Sequence, residues 1–264
     1  MELSNTEVLT ISGIGMVLVA LLSVVICRRR AGSRLRWMWL GAGLWFVAVL
    51  MKGVTAALTN PAIFSALERS LPHSLYVAVG SLFVGISSAF FEIGLTWLTV
   101  MIWRELGRTP DKAIGIGVGA GAIEAALLGL SSLSAAVVLY LGLPGSEDVT
   151  RSIRESGVHA SILFLVPIVE RVLAILCHTS SRALVFLGTT HRNWVMVLAG
   201  AALFAYIDSV AGFAHLSGML KTYSVWWVEL AIAPAALVSI PIIRWCARRF
   251  HEPTPDNPPA EPIA

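Results

Sequence analysis

Hydrophobic positions run along the chain in blocks of about 20 residues or more, the length an α-helix needs to cross a bilayer, with short polar connections between them. Seven blocks read as spans, at about 7–27, 37–58, 74–103, 112–142, 160–189, 194–217 and 226–245. The pattern predicts an all-α polytopic membrane protein: a bundle of seven transmembrane helices forming one domain over residues 1–250. A polar, proline-rich tail at 251–264 is expected to be disordered. The composition, 56% hydrophobic and 13% charged, excludes an ordinary soluble domain. Cys27, Cys177 and Cys246 lie within or at the ends of apolar blocks without CxxC spacing, so neither a disulfide framework nor a zinc ribbon is expected. In the first block the basic cluster RRRAGSRLR follows the apolar stretch, the reverse of a secretory signal, and the block reads as a retained, peripheral anchoring helix.

Charge then orients the bundle. The chain holds 19 Lys and Arg and a formal net charge of +3, but these residues sit mainly in the connections, so the partner they imply is the lipid bilayer and not nucleic acid. Threading the seven spans puts twelve of them on one side, from Arg28 to Arg36, Arg104 to Lys112, Arg192 and Arg244 to Arg249. Four lie on the other: Arg69, Arg151, Arg154 and Lys221. By the positive-inside rule this is a multi-pass protein of the cell membrane with its N-terminus outside and its C-terminus in the cytoplasm. Trp37, Trp39 and Trp45 fit an aromatic belt, Lys52 a side chain snorkelling to the outer headgroups, and Trp226, Trp227 and Glu229 an interfacial anchor.

Within the spans, ionisable residues stand out because each costs about 3 kcal/mol at mid-bilayer even on lenient scales, and so faces a bundle interior or a wet cavity. Glu92, Thr96 and Thr99 share one helix face at spacings of four and three, as do Gly117, Gly121 and Glu124, where the small residues allow a close neighbour. The stretch PIVERVLAILCHTSSR carries Arg171, His178 and Arg182 near one stripe, with Glu170 turned about 100° away. Asp208, Gly212 and His215 share a face of the sixth span. Carboxylates and an imidazole converging in a membrane suit metal-activated water or a proton or cation path. Neither GxSxG nor HExxH occurs.

Through GVGAGAIEAALLG, ERVLAILCHTSSRALVFLG, FFEIG and FAYID, in that family's order and spacing, the chain resembles the YhfC family of intramembrane metalloproteases, relatives of the PrsW and CAAX-protease-like (CPBP) membrane peptidases. The resemblance implies a hydrolase fold that cleaves membrane proteins or peptides. In it Glu92, Glu124, Glu170 and Arg171 would be catalytic, and His178 and Asp208 would be ligands of a metal, zinc being the ion implied. Four positions depart from the family pattern. Phe91 stands for a glutamate, Leu95 for an arginine, and Ala120 and Phe204 for histidines, which points to loss of the metal or the base and to apolar filling of the site. Three functions therefore stay open: an active metal-dependent endopeptidase, an inactive relative that binds a membrane protein or peptide, and a proton- or cation-coupled transporter.

Overall fold

The computed structural model describes residues 4–155, 164–221 and 223–250. The tail at 251–264 and the expected start of the fifth span at 160–163 lie outside the described residues. Among the described residues eight α-helices follow one another: α1 (Asn5–Ala31), α2 (Leu35–Ser70), α3 (His73–Ile102), α4 (Pro110–Leu141), the short α5 (Ser146–Glu155), α6 (Leu165–Thr190), α7 (Trp194–Leu216) and α8 (Trp226–Arg249). All but α5 are long and apolar enough to cross a membrane, so the chain is an all-α, multi-pass membrane protein.

Local signals set the helix ends. Ser4 and Glu7 close a capping box at the start of α1, Ser4 N donating to Glu7 Oε2 at 2.8 Å and Glu7 N to Ser4 Oγ at 3.3 Å. Gly32, at φ 65°, stops that helix in the left-handed conformation. Pro110 opens α4, where its missing N–H costs nothing, and Asn193 Oδ1 accepts from Val195 N at 3.0 Å to cap α7. Two expectations are corrected here. The second span was read to end at 58, but α2 runs on through Pro61 to Ser70, and α5 was not foreseen, being polar and short.

The molecule is built around α6. Its apolar window is 78% buried, against 17% to 33% in the other spans, and it packs on α3, α4, α7 and α8. The helix α1 is more than the peripheral anchor expected. It lies along α4, with Gly13 and Gly129 in backbone contact, and touches α6. Ser132 Oγ donates to Leu9 O at 2.8 Å, and Ser12 Oγ donates to Phe164 O at 3.0 Å. The largest fully buried side chain is a charged one, Arg182. A guanidinium at the centre of an apolar bundle demands partners, and those partners define the site.

Candidate functional site

Six helices surround a cavity of about 230 Å³. Trp45, Val49 and Lys52 come from α2, Glu92 from α3, Glu124 from α4, Glu170, Arg171 and His178 from α6, Phe204 and Asp208 from α7, and Ile232 from α8. All six residues singled out from the sequence, Glu92, Glu124, Glu170, Arg171, His178 and Asp208, thus line one space.

Glycine brings Glu124 there. Gly117 faces the backbone of His178 and Thr179, and Gly121 faces Ile175, so α4 lies directly on α6 and Glu124 emerges one turn further along the same face. Its carboxylate takes two donors, Arg171 Nη1 at 2.5 Å to Oε1 and His178 Nε2 at 2.8 Å to Oε2. Arg171 Nη2 turns to Glu170 Oε1 at 2.5 Å, so Glu170 pairs with its own neighbour despite the helical offset between them. Across the imidazole, Nδ1 meets Arg182 Nη1 at 2.8 Å. A guanidinium only donates, so Nδ1 accepts and the proton of neutral His178 sits on Nε2, pointing at Glu124. Arg182 Nη2 continues to Glu92 Oε2 at 3.3 Å, and Glu92 Oε1 accepts from Lys52 Nζ at 3.0 Å. Lys52 also donates to Ser88 Oγ at 3.0 Å and lies 3.8 Å from Asp208 Oδ2.

The result is one continuous chain of groups, Glu170, Arg171, Glu124, His178, Arg182, Glu92, Lys52 and Asp208, alternating carboxylate with cation except where neutral His178 joins Glu124 to Arg182. Its two ends reach the open part of the cavity, the Glu170 side chain being 41% exposed and that of Asp208 31%. Its middle is dry, with Glu92 at 3% and Arg182 at 1%. Four carboxylates face three cations and a neutral imidazole, a formal excess of one negative charge.

Several readings from the sequence are corrected by this geometry. Lys52 does not snorkel; its ammonium turns inward to hold Glu92. Trp37 and Trp45 are buried, and only Trp39, 70% exposed, suits an aromatic belt. Glu229 is no interfacial anchor but is buried one turn from Ile232, with Oε2 lacking a hydrogen-bond partner among the described residues. Of the four departures from the family pattern, only Phe204 lines the cavity. Its ring stands edge-on to His178, centroids 5.0 Å apart, with Arg182 Cζ 5.5 Å from its centroid. Phe91 and Leu95 line a separate apolar groove between α3 and α7, while Ala120 is buried in α4. His215 is exposed.

A divalent cation fits this arrangement poorly. Both imidazole nitrogens are committed, Glu124, Glu170 and Glu92 are each bonded to a cation, and two guanidiniums and an ammonium stand where a second positive centre would go. Among the described residues no three His, Cys, Asp or Glu side chains group closely enough to hold a metal ion.

Over residues 15–232 the chain matches the family described as YhfC intramembrane metalloprotease. It belongs to that family. Comparison with curated proteins and with solved structures returned no match. Membership in the YhfC family implies a metal, and the donor set of this member is already taken up by internal cations.

Proposed function

We propose that this YhfC-family protein uses the cavity to bind a membrane protein or peptide, taking one side chain of it into the polar site, without a bound metal. The observation that carries this reading is His178 held between Arg182 Nη1 and Glu124 Oε2, which leaves no imidazole lone pair for zinc. The cavity's size supports a single side chain as the occupant. At about 230 Å³ it exceeds a cavity of about 150 Å³ that admits benzene and falls short of the roughly 300 to 1,000 Å³ of ordinary ligand pockets. Its half-exposed carboxylates, Glu170 and Asp208, favour a basic side chain over an acidic one.

The family description favours a second reading, metal-dependent cleavage, in which Glu92, Glu124, Glu170 and Arg171 would be catalytic and His178 and Asp208 ligands. It requires Arg182 and Arg171 to release the imidazole and the carboxylate first. One experiment separates the two. The purified protein is incubated with excess zinc, desalted and measured by elemental mass spectrometry, beside binding of a spanning peptide carrying one lysine or, as control, leucine. Zinc well below one equivalent, with the lysine peptide bound at least about tenfold more tightly and weakened by Glu170→Gln with Asp208→Asn, is the expected result. A full equivalent of zinc that is lost in His178→Gln would overturn it, as would equal binding of the two peptides.

A further inference from the structure

A second cavity, independent of the first, opens toward the bilayer. It is a groove of about 700 Å³ walled by α1 and α8 and floored by α4 and α6. Leu22 and Ile26 form one wall, and Ile175 of α6 lies in its floor. The lining is apolar along most of its length and changes at one end, where α1 and α8 both finish and Arg30 and Arg244 enter it. Both arginines are exposed, and among the described residues neither has a hydrogen-bond or ion-pair partner.

The groove's dimensions name its occupant. From Val19 to Arg30 the α1 wall rises through 11 residue steps, about 17 Å at 1.5 Å per residue, close to the 15 Å or so of hydrocarbon in one leaflet. Two unpaired guanidiniums therefore sit where the acyl region ends and headgroups begin. Guanidinium is the side chain best matched to phosphate, through paired N–H donors, and basic pockets between spanning helices recognise anionic headgroups. We propose that the groove binds one anionic glycerophospholipid of the leaflet on this side, its phosphate held by Arg30 and Arg244 and an acyl chain laid over α4 and α6. Ile175 and Thr179 in the floor belong to the helix that carries Arg171 and His178 and lie within about 100° of them around its axis, so the lipid packs directly beside the site on α6.

The full chain, delipidated in neutral detergent, is titrated with phosphatidylglycerol, with phosphatidylcholine of the same acyl chains, and with inorganic phosphate. Bound lipid is counted by native mass spectrometry. Phosphatidylglycerol is expected to bind at one copy with at least about tenfold preference over phosphatidylcholine, and the preference is expected to vanish in Arg30→Gln with Arg244→Gln. Ile26→Trp, which fills the groove and leaves both arginines in place, should remove the bound lipid even if the double variant is poorly folded. Equal retention of the two lipids, or a preference unchanged in the variants, would overturn the proposal. Saturation by inorganic phosphate alone would reassign the arginines to a free anion, and dimers displacing the lipid would reassign the groove to a second copy of the chain.

Discussion

At the residue scale, the energetics of the site turn on who is left behind when one partner is removed. Arg171 is 7% exposed and serves two carboxylates. Arg171→Ala strands Glu124 in a low-dielectric interior and should cost about 3 to 5 kcal/mol, the ordinary penalty for breaking a buried pair. Glu170 is 41% exposed, and its removal leaves Arg171 still bonded to Glu124, so Glu170→Ala should cost about 1 kcal/mol or less. Thermal unfolding in detergent compares the two directly, and equal losses would mean that the Glu170 carboxylate is not reached by water. His178→Ala removes the acceptor facing Arg182 Nη1 and one donor to Glu124, two buried groups at once, and an expected loss of about 2 to 3 kcal/mol follows from leaving them unsatisfied. An unfolding midpoint unchanged from wild type would show that water substitutes for the imidazole. Such pairings escape a reading of the chain alone. Lys52 on its own helix is an isolated lysine near an interface, and only the meeting of α2, α3 and α7 supplies Glu92, Ser88 and Asp208 to turn it inward.

At the element scale, seven spans were legible because the signal for crossing a membrane is local: about 20 apolar residues in a row need no knowledge of their neighbours. Helix faces were legible for the same reason, and Glu92 with Thr96, and Gly117 with Gly121 and Glu124, do face inward together. The end of α2 was not legible in the apolar block, which stops near 58, whereas the helix continues through Pro61 to Ser70; proline only weakens a helix that has other reasons to continue. Phe91 misled differently. One residue from Glu92 is a 100° turn, enough to move a side chain from the cavity to the lipid-facing groove, so sharing a motif with a site residue does not mean sharing its face. The α4 and α6 contact gives the sharpest test at this scale. A methyl group built on Gly121 falls 2.9 Å from Ile175 Cα, on backbone that cannot move aside, whereas one on Gly43 meets nothing within 4 Å. Gly121→Ala should therefore destabilise by about 1 to 3 kcal/mol, while Gly43→Ala should be neutral or stabilise by up to about 1 kcal/mol through helix propensity. Opposite signs in detergent unfolding are expected, and a neutral Gly121→Ala would show that α4 can slide along α6 and carry Glu124 with it.

At the scale of the whole molecule, the charged residues of the site cavity and those of the groove lie toward opposite ends of the bundle. Glu170 lies near the start of α6 and Asp208 in the later half of α7, toward the face where α1 begins. Arg30 and Arg244 mark the face where α1 and α8 end. The basic residues that fall on this second face, twelve against four, lead us to propose that it is the cytoplasmic one, by the positive-inside rule. In that orientation the charged end of the site cavity would face outward, where segments of membrane proteins emerge, and the groove would face the leaflet whose anionic headgroups a pair of unpaired arginines would capture. Orientation is thus the point at which site, groove and charge distribution must agree. Single cysteines introduced at exposed Leu58 and Arg248, in a chain whose three buried native cysteines are replaced by serine or alanine, report it through an impermeant thiol reagent applied to intact cells. Leu58 sits well along α2, toward the end of the bundle where α1 begins, and Arg248 at the end of α8. Labelling at position 58 without permeabilisation, and at 248 only after it, is expected. The reverse pattern would turn the acidic mouth toward the cytoplasm, leave the arginine groove in the outer leaflet, and require a source of anionic lipid there.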